Sequence, residues 1–370
     1  MRYLLFSLSV LLFVACNNEK VSTFTLEGQI ENPERNFLLL QQESNIEKKE
    51  TTFIDTIFLD AAGKFKVSFN EEPHFYRLIV NENLSVPLVL DQGQSVKVNI
   101  DATGTEVTGS KDTDLLLEYE TFRAASLERL VRTIRREITA ESKNENPDPL
   151  KIDSLGKLEI SNYDQHLEEL NTFIKDKMGT SLALYPTSIR WKGEENIEFY
   201  NELVTAFETK HPHLSISHVL REKVTRLQQT SIGGTVSDIA LKTPKGDEVK
   251  LSDVSKKLTL VEFWASWCGP CRREGPVLKR LYNKYNNQGF EIYSISLDTN
   301  EKHWLGALEK DSRTWTNVSS LEGFTTPAAY AYSVTALPMN YLIDEEGVII
   351  AKGIHGDDLE QLVEELMIGV

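Results

Sequence analysis

The stretch Val261–Pro276 reads VEFWASWCGPCRREGP and carries two of the chain's three cysteines, Cys268 and Cys271. Upstream, "LTLVEFW" (258–264) is a near-continuous apolar run, the pattern of a strand buried on both faces. Downstream, "CRREGPVLKRLYNKY" (271–285) sets Val277, Leu278, Leu281, Tyr282 and Tyr285 on one side of a helix. The cysteines therefore stand at a strand-to-helix corner. Free backbone N–H groups and the helix dipole both favour an anion there. A thiolate at Cys268 is stabilised by that setting, below the usual thiol pKa of about 8.5. Cys271, one turn on, is within reach of a disulfide with it. Pro270 presets φ in the first turn, where its missing N–H costs little. Gly269 lets the backbone turn and is expected to leave Cys268 uncovered.

Two blander readings compete. Zinc takes four ligands, and the remaining cysteine is Cys16, while His303 and His355 are single and far apart. No metal is expected. "KHPH" (210–213) brings His211 and His213 around a proline, with no third ligand nearby, and reads as a solvated helix end. A static disulfide across so short a loop constrains the unfolded chain little and makes a poor staple.

Beyond the corner the alternation of strand and helix continues. "FEIYSISLD" is a second strand, "EKHWLGALEK" a helix, and "MNYLIDEEGVIIAKG" a hairpin turning at Glu346-Gly347. "DDLEQLVEEL" is a closing helix with Asp357 or Asp358 as its expected cap. This order predicts a mixed sheet with helices on both faces over 231–370. "TSIGGTVSD" precedes it as a linker. Residues 111–230 have a helical texture, with stripes such as Leu127, Leu130, Val131, Ile134 and Phe199, Leu203, Val204, Phe207. Residues 22–110 alternate in short runs separated by turns, as in Phe65, Val67 and Phe69, and predict an antiparallel β-sandwich. The fold class is thus multidomain: β-sandwich, helical middle region, C-terminal α/β.

The chain has 370 residues and a net charge of −16, without a basic stripe. That surface repels nucleic acid, and the acidity serves solubility. At the start, Arg2 precedes the uncharged, mostly apolar run Tyr3–Ala15. As a helix this run spans about 20 Å, short of the ~30 Å of a bilayer core, and it reads as an export signal over 1–16. "LFVAC" resembles the lipobox of bacterial lipoproteins, with Phe13 where leucine is usual. The resemblance implies cleavage before Cys16 and lipidation of its sulfur. Exported thiols work outside the reducing cytosol.

"FWASWCGPCRRE" resembles the thioredoxin active site, and "CRREGPVL" resembles more closely the exported reductases of the TlpA and ResA type. "SISLD" and "VTALPMNYLID" resemble that family's second central strand and its cis-proline segment. The resemblance implies a thioredoxin-like fold, with Cys268 as attacking sulfur and Cys271 as resolving sulfur. Trp267 shields and orients the loop, and Trp267, Gly269, Pro270 and Leu337 are the implied substrate-binding residues. Pro338 is cis, and Leu337, where Thr, Val or Ile is usual, offers its backbone to a substrate chain. Glu262 stands where thioredoxins carry a buried acid. In so apolar a strand burial should raise its pKa and let it exchange a proton near Cys271. Glu274 is a second candidate, otherwise a solvated first-turn carboxylate. Arg272 and Arg273 stand ready to favour thiolate charge. No cofactor is implied beyond a redox-active Cys268–Cys271 disulfide.

"CGPC" is thioredoxin's pair, and thioredoxin lies near about −270 mV against about −120 mV for strong oxidants, so a reductant is expected. The three-part order resembles envelope lipoproteins of Bacteroidetes-type bacteria, with an N-terminal domain of unknown function. The implied protein is an envelope-tethered thiol–disulfide oxidoreductase facing the periplasm. Its implied partners are disulfide-containing proteins such as apocytochrome c, a membrane thiol–disulfide electron donor and the membrane itself. The alternative from another class is an envelope binding or assembly protein that uses the thioredoxin fold as a scaffold.

Overall fold

The structure is a computed structural model that describes residues 24–191 and 196–369. The export signal expected over 1–16, with Cys16, falls outside the described residues. The rest divides into two compact units, residues 24–44, 50–125 and 181–186, and residues 45–49, 126–180 and 187–369.

In the first unit the short alternating runs form β1 (Phe24–Ile30), β2 (Phe37–Asn45), β3 (Glu50–Phe58), β4 (Lys64–Phe69), β5 (His74–Ile79), β6 (Ser85–Leu90), β7 (Ser95–Asp101) and β8 (Gly104–Thr108). They make two four-stranded sheets, β4-β1-β7-β8 and β3-β2-β5-β6. Inward positions from both sheets, among them Leu26, Leu40, Leu78 and Val98, fill one core. That is the expected sandwich, with one difference: β1 and β7 pair in parallel. Parallel neighbours need a long crossover, and here the second sheet's strands supply it. Gly28 permits the pairing, since a Cβ there would stand 1.8 Å from the Val98 carbonyl oxygen.

The helical region contains α1 (Lys111–Leu127), α2 (Thr133–Ser142), α3 (Pro149–Phe173), α4 (Leu184–Thr187), α5 (Ile197–Lys210) and α6 (Ser215–Gln229). A π-helical turn, Glu128–Arg132, joins α1 to α2. Asp148 caps α3 through the N–H groups of Leu150 and Lys151, with Pro149 at the first position. In α5 the stripe Tyr200, Val204 and Phe207 is buried. His211 ends that helix and its Nε2 lies 3.0 Å from the Thr180 carbonyl, a structural contact.

The C-terminal part builds a seven-stranded mixed sheet from β9 (Ala240–Lys242), β10 (Glu248–Lys250), β11 (Leu258–Trp264), β12 (Phe290–Ser296), β13 (Thr316–Ser319), β14 (Met339–Asp344) and β15 (Ile349–Lys352). The order is β10-β9-β13-β12-β11-β14-β15, with β11, β12 and β13 mutually parallel. The helices are α7 (Leu251–Val254), α8 (Gly269–Tyr285), α9 (Glu301–Asp311), α10 (Pro327–Ala331) and α11 (Gly356–Ile368). All seven residues of β11 are buried. Successive side chains point to opposite faces. Val261 and Phe263 join one core with Tyr293 and Tyr341. Leu258 and Leu260 join the other, with Leu278 and Leu281 of α8 and Leu359 of α11. Glu262 lies in register with that second set, so the strand's period aims a carboxylate at the α8 face.

The first residue of α11 is Gly356, and its N-cap, His355, makes no side-chain cap bond. The expected caps, Asp357 and Asp358, lie inside the first turn. The cap is supplied by a side chain of α8.

Candidate active site

The corner between β11 and α8 is built from its ends. Cys268 donates its N–H to the Ala265 carbonyl at 3.0 Å. Ser266 donates from its N–H and Oγ to Asp298, at 2.9 and 2.5 Å. Asp298, at the end of β12, also accepts from Ser296. The turn is thus pinned by the neighbouring strand. Cys268 is the N-cap of α8, and its Sγ accepts from the Cys271 N–H at 3.2 Å. The first turn of α8 therefore aims an N–H at the first sulfur, as the sequence predicts for a helix start.

Cys268 and Cys271 form a disulfide, with Cα atoms 5.4 Å apart. Both are buried, Cys268 at 4% and Cys271 at 0% exposure. Gly269 and Pro270 are exposed, yet Cys268 is not uncovered in the oxidised form. The pair belongs to an apolar cluster with Trp264, Ala265, Trp304 and Ala307, against which Leu321 and Leu337 pack. Trp264 and Trp304 cover the pair from within that cluster. Trp267 points outward, 61% exposed, and its ring meets that of Phe324 at 6.4 Å. The Leu337–Pro338 peptide bond is cis. Leu337 contacts the cysteine cluster, so residues 69 positions apart in sequence, Cys268 and Leu337, meet in one patch.

Glu262 is buried as expected, but it has company. Arg313, whose side chain is 0% exposed, donates from Nη1 to both carboxylate oxygens, at 3.0 and 2.7 Å. Ser294 donates a short hydrogen bond to Glu262, and Trp315 Nε1 donates to Ser294 at 2.7 Å. Arg313 Nη2 reaches the Cys271 carbonyl at 3.3 Å. Glu262 thus lies against a guanidinium, a group that stays charged. The physical reason is that α9 returns the chain with Arg313 under the first turn of α8.

Glu274 is also buried rather than solvated. It accepts from His355 Nδ1 at 2.9 Å and from the Gly356 N–H at 3.1 Å. This carboxylate is the missing cap of α11. The Glu274 hydrogen bond raises the His355 pKa, burial opposes it, and the charges of Glu274 and Glu262 raise it further. Arg272 donates to Asp311 from Nε and Nη2, at 2.8 and 2.6 Å, and that pairing lowers the Asp311 pKa. Arg272 is therefore engaged, and Arg273 is exposed. Sequence reasoning missed Arg313, Ser294, Trp315, Asp311 and His355 as members of the site. Among the described residues there is no cluster of three His, Cys, Asp or Glu fit for a metal ion.

A buried disulfide at a helix N-cap, beside a cis X–Pro bond, can exchange with an incoming thiol. Comparison with known proteins agrees. The AhpC/TSA family matches residues 232–352, and a domain of unknown function, DUF4369, matches residues 24–116. The thiol-disulfide oxidoreductase ResA of Geobacillus kaustophilus is 32% identical over 139 residues, covering 37% of this chain and 78% of that protein. The chain belongs to the thioredoxin-like thiol–disulfide oxidoreductases. This oxidoreductase is also 32% identical over 124 residues to the thioredoxin-like protein YneN of Bacillus subtilis, covering 32% of the chain and 68% of that protein. The thioredoxin domain of a thiol-disulfide oxidoreductase from Bacteroides vulgatus is 35% identical, covering 37% of this chain and 98% of that domain, with a TM-score of 0.36. The oxidoreductase assignment rests on residues of the C-terminal part, and the residues that carry it are those of the cysteine corner.

Proposed function

We propose that this enzyme is an envelope-tethered reductant of protein disulfides, acting through the Cys268–Cys271 dithiol. The observation that carries the reading is the bonded cysteine pair at the N-cap of α8, with Cys268 at the helix start. The helix end favours the Cys268 thiolate, which attacks a substrate disulfide, and Cys271 then resolves the mixed disulfide. Trp267, Gly269, Pro270 and the cis Leu337–Pro338 segment are assigned to substrate contact; the packing of Leu337 against the cysteine cluster supports this. The chain divides in this reading into a leader (1–16), a sandwich domain (22–110), a helical spacer (111–230) and the catalytic domain (231–370). Lipidation at Cys16 holds it to the membrane on the periplasmic side. A membrane thiol–disulfide carrier supplies electrons, and oxidised envelope proteins, apocytochrome c among them, receive them.

Two measurements test this. Equilibration with a glutathione redox buffer is expected to place the pair near thioredoxin, about −270 mV; a value near the strong oxidants, about −120 mV, overturns the reductant assignment. Cys16→Ser is expected to move the protein from the membrane fraction to the soluble fraction, and unchanged fractionation removes the tether.

A further inference from the structure

The pairing of Glu262 with Arg313 leaves one feature of the site unused. Cys271 is wholly buried, so water cannot solvate its thiolate. Burial by itself raises a thiol's pKa and slows its use as a nucleophile. The charges around it are mostly committed elsewhere. On α8, Arg272 is bonded to Asp311, and Glu274 to His355 and the α11 N-terminus. Arg273 is exposed. Asp298, after β12, is held by Ser266 and Ser296. Arg313 is different. Its Nη1 faces Glu262, its Nη2 faces the backbone of Cys271, and its guanidinium lies 3.8 Å over the Trp264 ring. Its Nε is buried without a hydrogen-bond partner among the described residues. Trp264 belongs to the same cluster as both cysteines. A cation with an unspent donor is therefore fixed between the strand carboxylate and the first turn of α8.

We propose that Arg313 is a positioning residue for the resolving step, one that lowers the cost of the Cys271 thiolate, with Glu262 as the counter-ion that holds it in place. The inference rests on the thiol–disulfide reading of the pair. In the resolving step the Cys271 thiol loses its proton and its sulfur attacks Cys268 Sγ in the mixed disulfide. The Cys268–Cys271 bond forms, the Cys268–substrate bond breaks, and the departing substrate sulfur takes up a proton. Over the cycle the substrate disulfide gains two electrons and two protons, all from the two cysteine thiols. Arg313 stabilises the anion that exists between deprotonation and attack. Glu262 moderates it, because its charge offsets part of the guanidinium's.

This gives opposite signs for two variants. In Arg313→Met with Glu262→Gln, both charges are gone and the interior stays neutral. In Glu262→Gln alone, the cation is left uncompensated. The test is a pH titration of the reduced, full-length, 13C-cysteine-labelled protein, following the Cβ resonance of Cys271, assigned through Cys271→Ala. The titration midpoint is expected to rise by about one unit in the double variant, which is about tenfold less thiolate at neutral pH. It is expected to fall below that of wild type in Glu262→Gln. Release of a substrate peptide from a preformed mixed disulfide at pH 7 is expected to slow about threefold in the double variant, since a higher pKa recovers part of the lost nucleophilicity. A double-variant midpoint equal to that of wild type overturns the proposal. So does a shift of the same sign in both variants, which would mark a packing defect. Should Glu262→Gln fail to fold, the double variant decides alone. Reduction of insulin disulfides by the wild type, on the same sample, reports on the thiol–disulfide reading independently of the Cys271 titration.

Discussion

At the scale of single residues, the site divides labour between two sulfurs that differ in their surroundings. Cys268 caps α8 and accepts an N–H, whereas Cys271 sits one turn inside with no exposure. Cys271→Ser should therefore leave Cys268 able to attack and remove only resolution. Incubated with an oxidised substrate protein, that variant should accumulate a mixed disulfide on non-reducing gels. Cys268→Ser should give none and no turnover. The ion pair behind them has its own consequence for stability. Arg313→Met strands the buried Glu262 carboxylate, and breaking one side of a buried pair costs about 3–5 kcal/mol. Removing both charges should cost much less. Denaturant midpoints of Arg313→Met and of its combination with Glu262→Gln measure the difference, and equal losses would mean the pair is not coupled. Glu262 was visible in the sequence as an acid out of place in an apolar strand. Arg313, 51 residues away, carried no local signal.

At the scale of elements, α8 is tied to its neighbours by side chains on its first turns. Arg272 reaches α9 through Asp311, and Glu274 caps α11 beside His355. The second contact is pH-dependent. The hydrogen bond to Glu274 raises the His355 pKa above its ordinary value of about 6.5. The sign follows from linkage. A group whose pKa is raised on folding contributes its stability below the unfolded pKa and loses it as pH rises through the folded one. Glu274→Gln keeps an acceptor for the Gly356 N–H and removes the charge. Its urea midpoint should fall furthest below that of wild type near pH 6, and the gap should close as pH rises past the raised His355 pKa. A gap independent of pH would assign the contact to capping alone. The elements themselves were legible because β11 and α8 differ in hydrophobic period. The cap of α11 was not, since the acids placed by sequence, Asp357 and Asp358, compete with a carboxylate from another helix.

At the scale of the whole molecule, the catalytic chemistry and the rest of the second unit share surfaces. Arg226 of α6 lies 3.9 Å over the Tyr330 ring, and Tyr330 donates to Glu222 at 3.0 Å. Lys352 of β15 donates to the Thr230 carbonyl at 2.9 Å. Every group of the cysteine corner lies within 231–370, so a fragment of those residues should keep disulfide exchange. It should melt at a lower temperature than the full chain, because it loses these contacts. Insulin reduction and a thermal melt, run side by side, check both halves of that statement; loss of exchange in a folded fragment would place part of the site upstream. The sequence by itself determined the strand-to-helix corner, the two cysteines three positions apart, the alternating elements and the β-rich start, because hydrophobic period and turn residues act over a few positions. Only the tertiary structure decided which charges face Cys271, which indoles cover the disulfide and how β1 and β7 pair. Those depend on strand order and on which face a side chain takes, and they join residues that the chain keeps far apart until the sheet has formed.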